Sequence, residues 1–460
     1  MNYQSFLESK RHSSVDFGID YTYLPDSMFD FQQYAAKYLI KKGRGAGFLD
    51  TGLGKTLIEL VVAQNYVRET NKPVLIITPL AVADQHLREA DKFGIDDVEH
   101  TKDGSYKKKI VLINYERLGK LKSEDFDCVI LDESSILKNF DGAIKNQITS
   151  FLKKVKYRFL FTATPSPNDF IELGTSSEAL GYLGYMDMLS RFFKNNNNNV
   201  SKISQVDKAR IGMEWYLKPH AEQNFWKWIT TWSISLRKPS DIGFSDELHH
   251  LPSLHEITTI VNNQKPLHKN GQMSMFNSPA VNFQEIKQEV RNTIELRCQE
   301  AVNKANQNPV SVYWVNLNNE ADLISQYDKS AVEIKGQMDI EKKEEILKAF
   351  SSGQISKLIT KPSITSFGLN WQHCNHTVFF PTFSYEQYYQ SIRRFWRFGQ
   401  KSEVVVDLII SDGQSRVLQS LLAKKEKAIK MFASLTENAN SVYKIQHKEF
   451  NQDIVKPKFL

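Results

Sequence analysis

The sequence predicts an α/β protein of two parallel-sheet lobes, and three observations carry that reading. Short β-branched runs alternate with amphipathic stretches through the first part of the chain, and the same rhythm returns later. A glycine-rich turn, Asp50–Thr56 ("DTGLGKT"), leads into the first helix-like stretch. Strands alternating with helices close a parallel sheet through crossover connections, and a glycine turn at a helix start is a ready anion site.

In the first lobe the strand candidates are Val74–Thr78, Ile110–Asn114, Cys128–Asp132 and Tyr157–Thr162, each a short run of branched or aromatic residues. Leu57–Glu69 reads as a helix after the glycine turn. In the second lobe Val310–Val315, Val332–Ile334, Lys357–Thr360, Thr377–Phe380 and Val404–Ile410 are strand candidates, with helices expected over Asp339–Phe350 and Ser384–Phe398. Between the lobes the rhythm is lost. That stretch opens with the asparagines Asn195–Asn199, read as a solvated loop, and carries an aromatic and basic cluster from Trp215 to Phe244. From Gly413 to about Leu435 the spacing is that of a long surface helix. The expected organisation is lobe 1 with an N-terminal extension over 1–194, a helical inter-lobe insertion over 195–292, lobe 2 over 293–412, and a C-terminal helix and tail over 413–460.

Composition bounds the function. A chain of 460 residues with 41% hydrophobic and 24% charged residues reads as soluble and globular, long enough for two domains. No apolar run reaches membrane-spanning length, and the polar stretch Met1–Ser14 is not a secretory leader. The cysteines Cys128, Cys298 and Cys374 form no CxxC pair, which argues against a disulfide framework or a zinc site and for a reducing cytoplasm. A net charge of +6 permits a polyanionic partner without demanding one.

The glycine turn departs from the general phosphate-loop pattern, which asks for Gly where Leu49 stands. The tight part of the wrap survives: Thr51, Gly52, Leu53 and Gly54 can present backbone amides to phosphate at a helix start, where the dipole also favours an anion. Lys55 would reach the β- and γ-phosphates of ATP, and Thr56 would ligate Mg2+. Downstream, an apolar strand ends in Asp132-Glu133, at the sheet edge where open α/β folds bind ligands. Asp132 would hold the Mg2+ and Glu133 would orient or deprotonate the attacking water.

With these motifs the chain resembles the superfamily-2 helicases and translocases, whose two lobes are RecA-like P-loop NTPase folds. It is similar in particular to the Swi/Snf-type ATPases and to the compact DEAD/DEAH-type helicases of bacteriophages and prophages. The resemblance runs over most of Met28–Ile410 and rests on about seven motifs in family order. It implies that Phe31 and Gln32, in "FDFQQYAAKYL", read adenine, with Gln33 as the rival to Gln32. Thr78, Asn114 and Tyr115 would grip strand phosphates. Thr162 and Thr164, in "FTATPSPND", would couple the γ-phosphate state to lobe movement by bonding the motif II carboxylates. In "TSFGLNWQ", Gly368 would allow close backbone approach to the nucleotide, while Asn370 and Gln372 would contact nucleotide or strand. In "QYYQSIRRFWRFGQ" a continuous helix would set Gln390, Arg394 and Arg397 on one face, with both arginines as fingers for the γ-phosphate and Arg393 turned towards solvent or a carboxylate.

The resemblance implies an ATP-driven motor moving along DNA, with duplex DNA favoured as the track and contacts to backbone rather than bases. Two other readings stand beside it: an RNA helicase that melts short duplexes, and an ATP-switched clamp assembling a nuclease or a replication or recombination partner. A bacterial cytoplasm or a phage-infected cell is the expected setting, without membrane. Within the insertion, Phe225, Trp228 and Trp232 have the spacing of a helix packed on a lobe, and Lys218, Lys227 and Lys238 are the candidates for phosphate contacts.

Overall fold

The computed structural model describes residues 16–79, 82–140, 142–195, 215–262, 268–269, 272–273, 283–365 and 370–452. The chain divides into two units, Met1–Asp246 with Ala428–Leu460 and Glu247–Lys427, each with a parallel sheet at its centre. The predicted fold class of two parallel-sheet α/β lobes therefore holds.

In the first unit, helix α1 (Asp30–Lys42) leads into β1 (Arg44–Leu49) and α2 (Lys55–Thr70). There follow β2 (Val74–Thr78), α3 (Ala83–Lys92), β3 (Val98–His100), β4 (Ile110–Asn114), β5 (Cys128–Asp132), α4 (Ala143–Lys153) and β6 (Tyr157–Thr162). Then come α5 (Leu173–Leu180), α6 (Tyr185–Phe192), α7 (Glu222–Thr230) and β7 (Ser233–Leu236). The sheet order is β3-β4-β2-β5-β6-β1-β7, with every pairing parallel. Its strands are buried along nearly their whole length, as expected of a parallel sheet covered on both faces.

The second unit contains β8 (Leu254–Val261), α8 (Phe283–Asn292), α9 (Ile294–Ala305), β9 (Ser311–Trp314), α10 (Asn318–Tyr327) and β10 (Ala331–Glu333). It continues with α11 (Ile340–Ser351), β11 (Lys357–Thr360), β12 (His376–Phe379), α12 (Tyr385–Ile392) and β13 (Val404–Ser411), and the long helix α13 (Ser415–Gln452) begins here. Its sheet, in the order β8-β13-β12-β9-β11-β10, is also parallel throughout.

The expected inter-lobe insertion over 195–292 is corrected by this division. Its described residues up to Asp246 belong to the first unit, and β8 and α8 belong to the second. Burial accounts for it: Phe225, Trp226 and Trp232 are at most 2% exposed, and they join Phe192, Phe193 and Tyr182 in the first unit's own core. Trp232 makes edge contact with Phe48 of β1 at 6.0 Å and with Trp228 at 5.7 Å, and stacks on Tyr182 at 6.1 Å. The C-terminal segment is likewise shared out: from Ala428 onward α13 belongs to the first unit, and its Met431, Phe432 and Leu435 enter that core.

A polar chain crosses the second sheet. Ser311 Oγ lies 2.8 Å from His376 Nδ1, His376 Nε2 lies 2.9 Å from Asp407 Oδ2, and Lys304 Nζ lies 3.4 Å from Asp407 Oδ1. The residue types are those of a hydrolase triad, but Ser311 is 0% exposed, so no substrate can reach it. Burial alone would raise the Asp407 carboxyl, but the His376 hydrogen bond and the charges of Lys304 and His376 prevail and hold it below the usual carboxylate range.

Two outcomes test this packing. Trp232→Ala should cost about 3–5 kcal/mol in denaturant unfolding, whereas Trp232→Phe should cost far less, because the buried indole N–H has no hydrogen-bond partner to lose. A depressed carboxylate stabilises the fold above its unfolded pKa and loses that contribution as pH falls through the folded value. The second unit should therefore lose stability below the ordinary carboxylate range, and Asp407→Asn should be less stable at neutral pH with a shallower acid dependence in thermal melts.

Candidate nucleotide site

The phosphate loop grows out of the sheet's register. Leu49 is the last residue of β1 and 0% exposed, packed in the core beneath the loop. It opposes Leu236 of β7, and the Asp50 N–H donates to the Leu236 carbonyl at 2.9 Å. The strand thus runs one residue further than the general pattern allows, and no glycine is needed until Gly52. Gly52 (φ 89°) and Gly54 (φ 77°) then adopt left-handed conformations that other residues rarely enter. A side chain at Gly54 would also collide with Gln32 Nε2. Gly54 caps α2, whose first residues are Lys55 and Thr56; Lys55 Nζ donates to the Leu49 carbonyl at 3.1 Å.

Gln32 secures this loop from α1. Its Nε2 donates to the Leu53 carbonyl at 3.0 Å and its Oε1 accepts from the Phe29 N–H at 3.0 Å. Gln33 instead donates to the Met28 carbonyl at 3.4 Å. The expectation that Phe31 faces a base is corrected: it is 3% exposed in the core and stacks on Phe29 at 6.0 Å, and Phe29 is the exposed ring, at 38%.

Asp132 ends β5 beside β6, opposite Phe161, and Glu133 follows it in the turn. Glu133 is held at φ 56°, ψ 53°, a left-handed conformation that costs energy for a residue with a Cβ and that gathers at functional sites. Its Oε1 accepts from Thr162 Oγ1 at 2.6 Å and from Ser135 Oγ at 3.2 Å. The Thr162 hydroxyl in turn accepts the Thr164 N–H at 3.0 Å. Thr164 does not bond a carboxylate as expected; its hydroxyl oxygen is buried without a hydrogen-bond partner among the described residues.

Behind Asp132 lie two groups that motif spacing did not reveal. Glu59 of α2 and His86 of α3 are both 0% exposed, with His86 Nε2 2.8 Å from Glu59 Oε2 and 4.0 Å from Asp132 Oδ2. Burial and the neighbouring Glu59 push the Asp132 carboxyl well above its ordinary range, against the pull of His86 and Lys55. Burial would lower His86, but the Glu59 hydrogen bond and the two carboxylates raise it. The signal available in the sequence was Glu59 itself, a lone acid inside the apolar run "TLIELVVA".

Three expected phosphate-gripping residues turn inward instead. Thr78 is 0% exposed, Asn114 is 1% exposed and Tyr115 is 4% exposed. Asn114 Nδ2 donates to the Pro79 carbonyl at 3.2 Å and its Oδ1 lies 3.1 Å from His100 Nε2, while Tyr115 OH donates to the Asp132 carbonyl at 2.6 Å. Strand-end polar residues face either the cleft or the core, and here the core takes them. Lys218 donates to the carbonyls of Ser190 and Arg191, closing the end of α6, and Lys238 pairs with Asp246 at 3.3 Å. Lys227 is exposed.

In the second unit α12 stops at Ile392, so Arg394 and Arg397 lie in the turns after it and the shared helical face with Gln390 is corrected. Aromatic packing ends the helix: Phe395 lies 5.7 Å from Trp371, and Trp396 Nε1 donates to the Pro252 carbonyl at 2.7 Å. Arg393 is not turned to solvent; it is 3% exposed, over the Trp396 ring at 4.9 Å. Arg397 donates to Asn370 Oδ1, and Gln372 Nε2 donates to the Phe398 carbonyl at 2.8 Å. Asn370, Gln372, Arg394 and Arg397 are therefore brought together, with the Trp371 N–H on the Arg394 carbonyl at 2.9 Å. Gln390 is 4% exposed and neither end of its amide finds a hydrogen-bond partner among the described residues. Gly368 lies outside the described residues.

The donor set of the first unit fits a magnesium nucleotide. Two left-handed glycines at the start of a long helix form a phosphate cradle, and the Thr56 hydroxyl and Asp132 carboxylate are the hard oxygen ligands Mg2+ takes.

Two family models match the chain: "Type III restriction enzyme, res subunit" over residues 26–167 and "Helicase conserved C-terminal domain" over 292–399. Among curated proteins it is similar to the SWI/SNF-related matrix-associated actin-dependent regulator of chromatin subfamily A-like protein 1 of Xenopus laevis, with 27% identity over 34% of this chain and 17% of that protein. The Bos taurus protein of the same name is 29% identical over 33% of this chain and, again, 17% of its own length. The match thus spans about a sixth of these relatives.

The inward turn of Tyr115 gives a direct check. Tyr115→Phe should lower stability by about 1 kcal/mol and leave nucleic-acid affinity unchanged in a binding titration; a loss of affinity without loss of stability would return Tyr115 to the nucleic-acid surface.

Proposed function

Because the chain belongs to the superfamily-2 helicases, we propose that it is an ATP-dependent nucleic-acid motor, Swi/Snf-like in character, that moves along duplex DNA. The observation that carries this reading is the Thr162–Glu133 hydrogen bond of 2.6 Å on a strained Glu133 backbone beside the phosphate loop. A carboxylate so fixed is preorganised to orient water, and its partner belongs to the element that senses the γ-phosphate.

In this proposal the amides of Thr51, Gly52, Leu53 and Gly54 cradle the phosphates, and Lys55 exchanges the Leu49 carbonyl for them. Thr56 and Asp132 would hold Mg2+, whose charge would draw electron density from the γ-phosphate. Glu133 orients or deprotonates the attacking water. Thr162 registers the state of Glu133 and passes it through the Thr164 N–H to the segment beyond β6. Arg394 and Arg397 are the proposed transition-state cations, and Gln390, with its unpartnered amide, is proposed to join them in nucleotide binding. Gln32 holds the loop and has one amide hydrogen left for adenine.

Duplex DNA is proposed as the track because the relatives' printed name ties them to chromatin. Backbone contact without base reading, kinship with phage and prophage helicases, a cytoplasmic setting, and service to a nuclease or a replication or recombination partner complete the proposal. Asn370 and Gln372 are proposed as its nucleic-acid contacts in the second unit, and Lys227 in the first.

The test compares ATP turnover with duplex DNA, single-stranded DNA and RNA. Stimulation chiefly by duplex DNA is expected, and stimulation by RNA alone would give the RNA-helicase reading instead. Lys55→Ala should abolish turnover with an unchanged melting curve, whereas turnover within tenfold of wild type would sink the nucleotide assignment. A Glu133→Gln protein that keeps its biological effect without hydrolysis would mark an ATP-switched clamp.

A further inference from the structure

His86 and Glu59 belong to no motif of the nucleotide site, yet both are completely buried against Asp132. The three come from three elements, α2 that begins with Lys55, α3, and β5, and their ligand atoms lie within 4.8 Å of one another. Both ring nitrogens of His86 face acceptors: Nδ1 the Val82 carbonyl at 3.2 Å and Nε2 the Glu59 carboxylate at 2.8 Å. Two protons are needed along that line, so the imidazole and Glu59 together carry no net charge whichever of them holds the second proton. Without the histidine, two carboxylates would share a dry space, and buried like charges of that kind repel strongly.

We propose that Glu59 and His86 form a neutral counter-ion pair that positions Asp132 and so sets the affinity of the site for a divalent ion. Nε2 stands between the two acids, bonded to Glu59 and 4.0 Å from Asp132 Oδ2. The remaining Glu59 oxygen, Oε1, is buried without a hydrogen-bond partner among the described residues, so Glu59 is held through His86, which the Val82 carbonyl holds in turn. Losing the Glu59 carboxylate is as harmful as losing the imidazole, because the His86 Nε2 edge, 4.0 Å from Asp132 Oδ2, is then free to turn to Asp132 and compete with the metal. This rests on the reading of Asp132 as a magnesium ligand; His86 and Glu59 act through it and touch no substrate.

The experiment measures Mn2+ binding by electron paramagnetic resonance in the presence of ADP, and separately ADP binding in EDTA, on the full chain. His86→Gln and Glu59→Gln should each weaken Mn2+ binding about 10–100-fold, as removal of a supporting partner does at metal sites, with metal-free ADP affinity within about twofold of wild type, the loop being untouched. The double variant Glu59→Gln/His86→Gln, whose amides can bond each other without charge, should recover most of the Mn2+ affinity. If His86→Gln does not fold, Glu59→Gln against the double variant carries the same comparison. Unchanged Mn2+ affinity in the single variants, or a double variant no better than either, would overturn the proposal. Parallel loss of metal-free ADP binding would overturn it too, by marking the pair as packing alone. Failure of wild-type protein to bind Mn2+ at all would overturn the nucleotide reading and this proposal with it.

Discussion

Register in the first sheet is the constraint on which the site depends. Phe48 of β1 stands opposite Thr162 of β6, and Phe161 stands opposite Asp132 of β5. Three parallel strands therefore end together, and their next residues, the phosphate loop, Glu133 and the Thr162–Thr164 turn, meet at one edge. A slip of one residue in β5 would exchange the faces of Asp132 and Leu131 and put the carboxylate on the wrong side of the sheet. Packing fixes the register: a side chain at Gly47 would meet the Phe161 ring at 2.8 Å, so only glycine lets β1 lie this close to β6. On the other flank the Leu236 carbonyl takes the Asp50 N–H, and the loop leaves the sheet from a strand held on both sides.

Burial does the remaining work in the first unit. Asp132 ends a strand that water scarcely reaches, so each polar neighbour counts for more than it would on a surface. Tyr115 steadies its carbonyl and Lys55 feels its charge. In the second unit the equivalent economy is aromatic: Trp314, Trp371 and Phe395 close over one another, and the arginine turns are shaped by that cluster rather than by a helix.

Much of this was legible in the sequence, for physical reasons that also explain the rest. Strands such as Ile110–Asn114 and Cys128–Asp132 were read to the residue because buried parallel strands are unbroken apolar runs between polar ends. The places of Lys55 at a helix start and of Asp132 at a strand end, with Glu133 next to it, followed from the same pattern. Strand β1 escaped because its glycines lower strand propensity, although close packing is what requires them. Strands β7 and β8 escaped because they lie in the stretch 195–292, where the strand–helix rhythm is lost. Thr78, Asn114 and Tyr115 were assigned outward because spacing locates a strand end without saying which way its side chains face. The helix through Arg397 failed because periodicity cannot see Trp371, 24 residues upstream of Phe395, packing against it where the next turn would go. Glu59 and His86 are far apart in sequence, and only the fold makes them neighbours.

The C-terminal part of α13 has a consequence for biosynthesis. Met431, Phe432 and Leu435 complete a core otherwise formed by residues before Asp246, and the whole of Glu247–Lys427 is translated between the two. On the ribosome the first unit must wait, with its sheet formed but one apolar flank uncovered, while the second is made. At about 5–20 residues per second that interval lasts on the order of 10–40 s, ample time for the second unit to fold but also for the bare flank to find another nascent chain. The order of synthesis thus makes the Met431–Leu435 turns of α13 the closing step of the first unit's assembly.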